Sequence, residues 1–227
     1  MKGRALWLTA ALSLITAAAA IRLLPDTVPI HFDLQGEVDR FGSKWELLVF
    51  PLGNVLIALV GQLSVLYFSK KERAAEEEKT AAEARNNSRL VYIISVVVAA
   101  FHIMVQLVIM FAVGSSAQLQ RLPPNVMMWT MVFIGAVMAV MGNLMPKAKR
   151  NALFGLRTTW SMYNDETWAK SNRFGGAIMM VSGVITIAGA LAFKEVTAFV
   201  IAISAVLSAT IAATIYSYIV YKEVANG

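Results

Sequence analysis

The chain contains no cysteine among its 227 residues. That excludes disulfides, thiolate metal sites and a thiol nucleophile, so any loop outside a bilayer must hold its shape by packing and hydrogen bonds. Histidine is nearly missing too, with His31 and His102 the two present. Charged residues make up 15% of the chain against 58% hydrophobic, and mean hydropathy is +0.63. This balance belongs to a small polytopic membrane protein and leaves no room for a separate soluble domain. All fourteen acids fall in loops or at the ends of apolar runs. Proton-coupled transporters carry acids inside the membrane, so that class is disfavoured. An intramembrane protease lacks its means as well: there is no aspartyl dyad and no HExxH. The nearest Ser–His pair, Ser95 and His102, would stand about 10 Å apart along one helix. We expect no enzyme and no cofactor.

What remains is six apolar runs, each long enough for a span of roughly 20 residues. The first runs from Ala5 to Leu24. Its length favours a retained span over a cleavable signal peptide, although Ala18-Ala19-Ala20 would suit a peptidase. The others are Leu47 to Phe68, Leu90 to Val113, Val126 to Met145, Gly175 to Phe193 and Val196 to Tyr221. Pro146 stops the fourth, and Lys194-Glu195 joins the last two as antiparallel neighbours. On one side lie Lys2, Arg4, six basic residues in 69–89, six in 146–174 and Lys222; on the other lie Arg22, Arg40, Lys44, Arg121 and Lys194. Fifteen against five predicts both termini in the cytoplasm. The expected fold is all-α and polytopic, with six transmembrane helices, an ordered outer loop and a long cytoplasmic loop containing a short interfacial helix. Residues 1–89 form one unit, with the outer module 25–46 and a charged linker 69–89; residues 90–227 form a four-span unit around loop 142–176.

The outer segment 25–46 reads as extended chain with a glycine turn at Gly36. His31, Asp33, Glu37 and Asp39 are donors of the right type for a divalent cation, but their spacing matches no ligand pattern, and we expect no metal. The 69–89 run should form a solvated helix, with Glu72/Glu76 and Arg73/Glu77 at four-residue spacing, until Asn86-Asn87-Ser88 breaks it. The short loop 114–125 ends in Pro123-Pro124. In the third span, His102 and Gln106 share a helix face. They read either as a hydrogen-bonded tie to neighbouring helices or as the site of a small-solute transporter or channel.

The 142–176 loop is the longest polar stretch between spans. Asn164-Asp165-Glu166 make a helix start, and Lys170 and Arg173 precede Gly175-Gly176, so a short helix over 164–174 is expected. Trp160 and Trp168 would anchor it in the headgroup layer.

The residues Asn151-Ala-Leu-Phe-Gly155-Leu-Arg157-Thr-Thr-Trp160, then Asp165-Glu-Thr-Trp168 and Asn172-Arg173-Phe174, preceded by Gly142-Asn143, resemble the signature loop of the SdpI immunity-protein family. Thr159 stands where proline is usual. Val28-Pro-Ile-His31-Phe32, Gly36 and Lys44 look like the short outer module that many relatives carry. The resemblance implies a cell-membrane protein giving immunity to a secreted antimicrobial peptide toxin. It also implies that in some members the cytoplasmic loop holds a DNA-binding autorepressor at the membrane; the chain's own +6 charge reads as orientation, and no direct nucleic-acid contact is expected. Candidate toxin-facing residues are His31, Phe32, Asp33, Gly36, Asp39 and Lys44. Candidate partner-binding residues are Asn143, Pro146, Asn151, Gly155, Arg157, Trp160, Trp168, Asn172 and Arg173.

Overall fold

In the computed structural model, residues 3–33, 35–119 and 125–226 are described. Six long helices appear: α1 Arg4–Leu23, α2 Val49–Arg73, α3 Glu78–Leu119, α4 Val126–Leu144, α5 Asp165–Ala192 and α6 Glu195–Asn226. Each is long and apolar enough to cross a membrane, so the chain is an all-α, multi-pass membrane protein. Of the expected 114–125 loop with its Pro123-Pro124, residues 120–124 lie outside the described residues.

Many large apolar side chains face outward rather than into the bundle. Leu8, Ile15, Leu56, Leu63 and Ile211 are all more than half exposed, as side chains turned to lipid should be. The buried seams hold small and amide residues instead, including Ala10, Ser13, Ala17, Asn54, Ala58 and Gly61. Without a hydrophobic force between helices in lipid, close backbone approach and hydrogen bonds bring helices together. The seam between α4 and α5 shows this most plainly. Gly135 faces Gly183 and Gly142 faces Gly176, seven residues apart on each antiparallel helix, and a Cβ on Gly135, Gly142 or Gly183 would come within 2.5 Å of the opposing glycine's carbonyl oxygen. α1, α2 and α3 pack on one another, α5 packs between α4 and α6, and α3 meets α4. The expected unit boundary at residues 89 and 90 falls inside α3.

Two expectations are overturned. Asn86-Asn87-Ser88 does not end a helix: α3 runs unbroken from Glu78, and the interruption comes at 74–77. The asparagines are held by tertiary bonds, Asn86 Nδ2 donating to Lys147 O at 2.9 Å and Asn87 Oδ1 accepting from Lys149 N at 3.0 Å, so their side chains do not compete for the local backbone. Likewise there is no separate short helix over 164–174. Asn164 and Thr167 cap α5 reciprocally, and the helix passes straight through Gly175-Gly176, which serve helix contact rather than termination.

The outer segment forms a hairpin of β1 Thr27–Phe32 and antiparallel β2 Val38–Ser43. Asp33 Oδ1 accepts from the backbone of Gln35 and Glu37, each at 2.9 Å, and Gly36 takes φ 76°, closing a turn that a β-carbon would strain. A 3₁₀ turn, Lys44–Leu48, follows behind a Ser43/Glu46 capping box and leads into α2. Val28 and Leu47 seat this hairpin on Ala17, Leu24, Met110 and Val113 of α1 and α3.

Candidate functional site

Each end of the bundle carries one structured polar element. At the hairpin end, His31 Nδ1 and Asp39 Oδ1 stand 2.6 Å apart across the strands, both exposed. Phe32 is half-buried. Lys44 is turned inward, its Nζ 3.0 Å from Asp26 Oδ1 and 3.3 Å from Leu24 O, and so clamps the hairpin base onto the end of α1. Of the six outer candidates, Asp33, Gly36 and Lys44 therefore build the hairpin, and His31, Phe32 and Asp39 face outward or toward the bundle. A cleft of about 450 Å³ opens beneath it, floored by Val49 and Phe50 of α2, Ile109 and Val113 of α3 and Met127 of α4. His31, Asp33, Arg40 and Glu46 stand along its hairpin side.

At the opposite end, residues 145–164 fold into a compact module. Asn151 is its organiser: Oδ1 accepts from Leu153 N and Phe154 N, while Nδ2 donates to Lys149 O and Phe154 O, so all four of its hydrogen-bonding positions are used. Gly155 takes φ 115°, and a Cβ there would come within 2.5 Å of Asn172 Oδ1. Only glycine fits. Asn172 in turn accepts from Leu156 N at 2.7 Å and donates to Trp168 O, joining the module to α5. Ser161, fully buried, donates to Leu156 O and receives Thr158 N.

Trp168 overturns its expected place in the headgroup layer. It is 2% exposed, packed with Leu90, Leu144 and Ala148 where α3, α4 and the module meet, and its Nε1 donates to Ala148 O at 2.8 Å. Trp160 is half-buried against Tyr218, with ring centroids 5.0 Å apart. Tyr163 meets Tyr221 edge-on, and with the Thr158–Ser217 hydroxyl contact at 2.9 Å this fastens the module to α6, while Phe174 of α5 stacks on Tyr216 just beyond. Asn143 and Pro146 are exposed at the end of α4, as are Arg157 and Arg173. Arg157 donates to Ala152 O, leaving most of its donors outward.

Sequence reasoning missed several contributors. Arg150 bridges Met162 O, Tyr163 O and the Asp165 carboxylate at 2.9 Å, clasping both ends of the module. Its signal was available, because Arg150 and Asp165 are the opposite charges bounding the loop. Asn86, Asn87 and Ser217 act through partners about sixty residues away, which no local pattern discloses, and Ser161 acts within the loop on Leu156 and Thr158.

The intramembrane pair separates. Gln106, fully buried, binds α1: its Oε1 accepts from Ser13 Oγ, and its Nε2 donates to Ser13 O at 2.8 Å and Thr16 Oγ1 at 3.0 Å. His102 Nε2 sits 2.9 Å from Phe50 O of α2, positioned to donate to it. One helix face thus ties α3 to two different helices, the arrangement of a structural brace.

Comparison with known proteins adds a second line. Residues 147–217 match the SdpI/YfhL protein family, and residues 8–55 match a domain of unknown function, DUF1648. The chain is 36% identical over 94 residues to the immunity protein SdpI of Bacillus subtilis (strain 168), covering 41% of this chain and 44% of that protein. It is 64% identical over 28 residues to an uncharacterized protein of Archaeoglobus fulgidus, covering 12% of this chain and 15% of that protein. The matches thus span less than half the length of either relative. No solved structure matches the chain.

Proposed function

Starting from a chain that carries an SdpI/YfhL family segment and a DUF1648 segment, we propose that this is an integral membrane immunity protein that protects its cell from a secreted, membrane-active antimicrobial peptide. The observation that carries this reading is the likeness to a Bacillus immunity protein. The family match falls on the module and the two helices that close over it. Fifteen basic residues against five support an orientation with the module and both termini in the cytoplasm and the hairpin outside, where a secreted toxin arrives first.

The two ends then do separate jobs. Protection rests on the hairpin, with His31, Phe32 and Asp39 as contact candidates. The module faces the cytoplasm and can hold a soluble repressor there. Arg157 and Arg173 are exposed and offer charge to such a partner, Arg157 presenting the remaining donors of a planar fork to a carboxylate. Expression in a toxin-sensitive host, challenged with the toxin of a producing strain, tests the reading. Survival should rise several-fold with the chain present, and equal killing with and without it at confirmed membrane abundance would sink the proposal.

A further inference from the structure

We infer that the cleft beneath the hairpin is a receptor site for an apolar, positively charged peptide segment entering from the outer membrane surface. The floor is aliphatic and aromatic and comes from three different helices, while the hairpin side adds Pro29, Ile30 and Phe32 beside the polar His31, Asp33 and Arg40, so a largely apolar pocket carries charged groups along one edge, as a site for an amphipathic guest should. At about 450 Å³ the space takes a few large side chains, not a folded domain. Val49 of the floor is 64% exposed, so the cleft is open along that side of α2.

Charge selects the guest. Residues 25–46 carry five acids, Asp26, Asp33, Glu37, Asp39 and Glu46, against Arg40 and Lys44, a net charge of −3 with His31 neutral. The bases are already engaged: Lys44, half-buried, pairs with Asp26, and Arg40 reaches Glu46 Oε2 at 3.8 Å. Of the acids, Asp33 and Glu46 line the cleft against Arg40, two acids to one base, and Glu37 and Asp39 lie on the same hairpin, so an anionic lipid headgroup is disfavoured there and a basic residue flanking an apolar stretch is attracted. The site is also held in shape. His102 grips the carbonyl of floor residue Phe50, and Val28 and Leu47 pin the hairpin to the helices, so little ordering cost falls on binding. This rests on the immunity reading, since it gives the toxin class a place to dock.

The test uses the full chain in phosphatidylcholine nanodiscs, with empty discs subtracted, and a fluorescent Leu/Lys amphipathic peptide beside its Leu/Glu counterpart. The Leu/Lys peptide should bind more tightly, and more weakly as salt rises from about 0.05 to 0.5 M. Val49→Trp, which fills the floor, should weaken it about tenfold at unchanged thermal stability, as a loss of this size reads directly in the titration. Glu37→Lys, at an exposed turn position, should weaken it and flatten the salt response. Equal binding of the two peptides, or unchanged binding by Val49→Trp, overturns the inference. A phospholipid that copurifies with the parent chain but not with Val49→Trp, and that the peptide does not displace, also overturns it and assigns the cleft to lipid. Toxin survival on the same variants separates the two readings: protection kept by Val49→Trp removes the cleft and leaves immunity, whereas peptide capture without any protection leaves the cleft and removes immunity.

Discussion

Gln106 is fully buried between α1 and α3, and its amide engages both the hydroxyl and the carbonyl of Ser13. Gln106→Leu strands those partners in a seam without water, at a cost of about 1–2 kcal/mol. His102→Gln, by contrast, keeps a donor toward Phe50 O and should hold folded yield within about 1 kcal/mol. Thermal unfolding of the detergent-solubilised variants gives both values. Loss of protection in His102→Gln at normal stability would refute the brace and point to protonation chemistry. The module sorts its residues the same way. Trp168→Ala removes a packed ring and its bond to Ala148, costing about 3–5 kcal/mol, and should lower membrane abundance. Arg157→Ala, exposed, should leave abundance and survival unchanged and weaken only recruitment of a cytoplasmic partner, read as repressor localisation in cells. Equal loss of abundance in both variants would make the module a scaffold alone.

At the scale of elements, the α4–α5 seam is the least forgiving. Gly183→Val forces a β-branched side chain against Gly135 O and Ala139 N, a clash worth about 1–3 kcal/mol, whereas Gly114→Ala meets nothing nearer than Leu24 Cδ2 at 3.6 Å and should be neutral. Comparing melting temperatures of the two variants checks this, and equal stability would mean that the helices do not meet through their backbones. These elements differ in how far the sequence discloses them. Long apolar runs and Pro146 make the six helices and the end of α4 legible, and the extended stretch with Gly36 makes one strand and the turn of the hairpin legible, though not the pairing. The start of α3 is not, because Asn86 and Asn87 are weak helix formers locally and gain their bonds from residues sixty positions away. Nor is the continuity of α5, because Gly175-Gly176 reads as a stop until Gly142 and Pro146 are packed against Gly176. In the site, Asn151, Gly155 and Asn172 were legible as important residues, but their roles were not. A motif marks a position without saying whether its side chain turns in or out.

For the molecule as a whole, the absence of native cysteine makes sidedness directly measurable. Glu37→Cys and Lys194→Cys, both at exposed sites on the hairpin end, should react with an impermeant thiol reagent in intact cells; Glu77→Cys and Lys149→Cys, exposed at the other end, should react only after permeabilisation. Labelling of Lys149→Cys from outside would reverse the orientation and take the repressor partnership with it. The length of α3 adds something that neither end has alone. At about 1.5 Å per residue its 42 residues extend about 63 Å, twice a hydrocarbon core of about 30 Å. Ile109 and Val113 line the outer cleft, and Asn86 and Asn87, about 33 Å further down the same rod, hold the backbone of Lys147 and Lys149. A rod of that length would act as a lever if it moves as one piece. A guest that wedges the cleft open and tilts it by about 5° sweeps the asparagines sideways by about 3 Å, the length of the hydrogen bonds they make, and a toxin outside would be felt inside as a loosened loop. Spin labels at Lys79 and Lys149 would record that swing as a change in their separation on toxin binding, and an unchanged separation would leave the two ends mechanically independent.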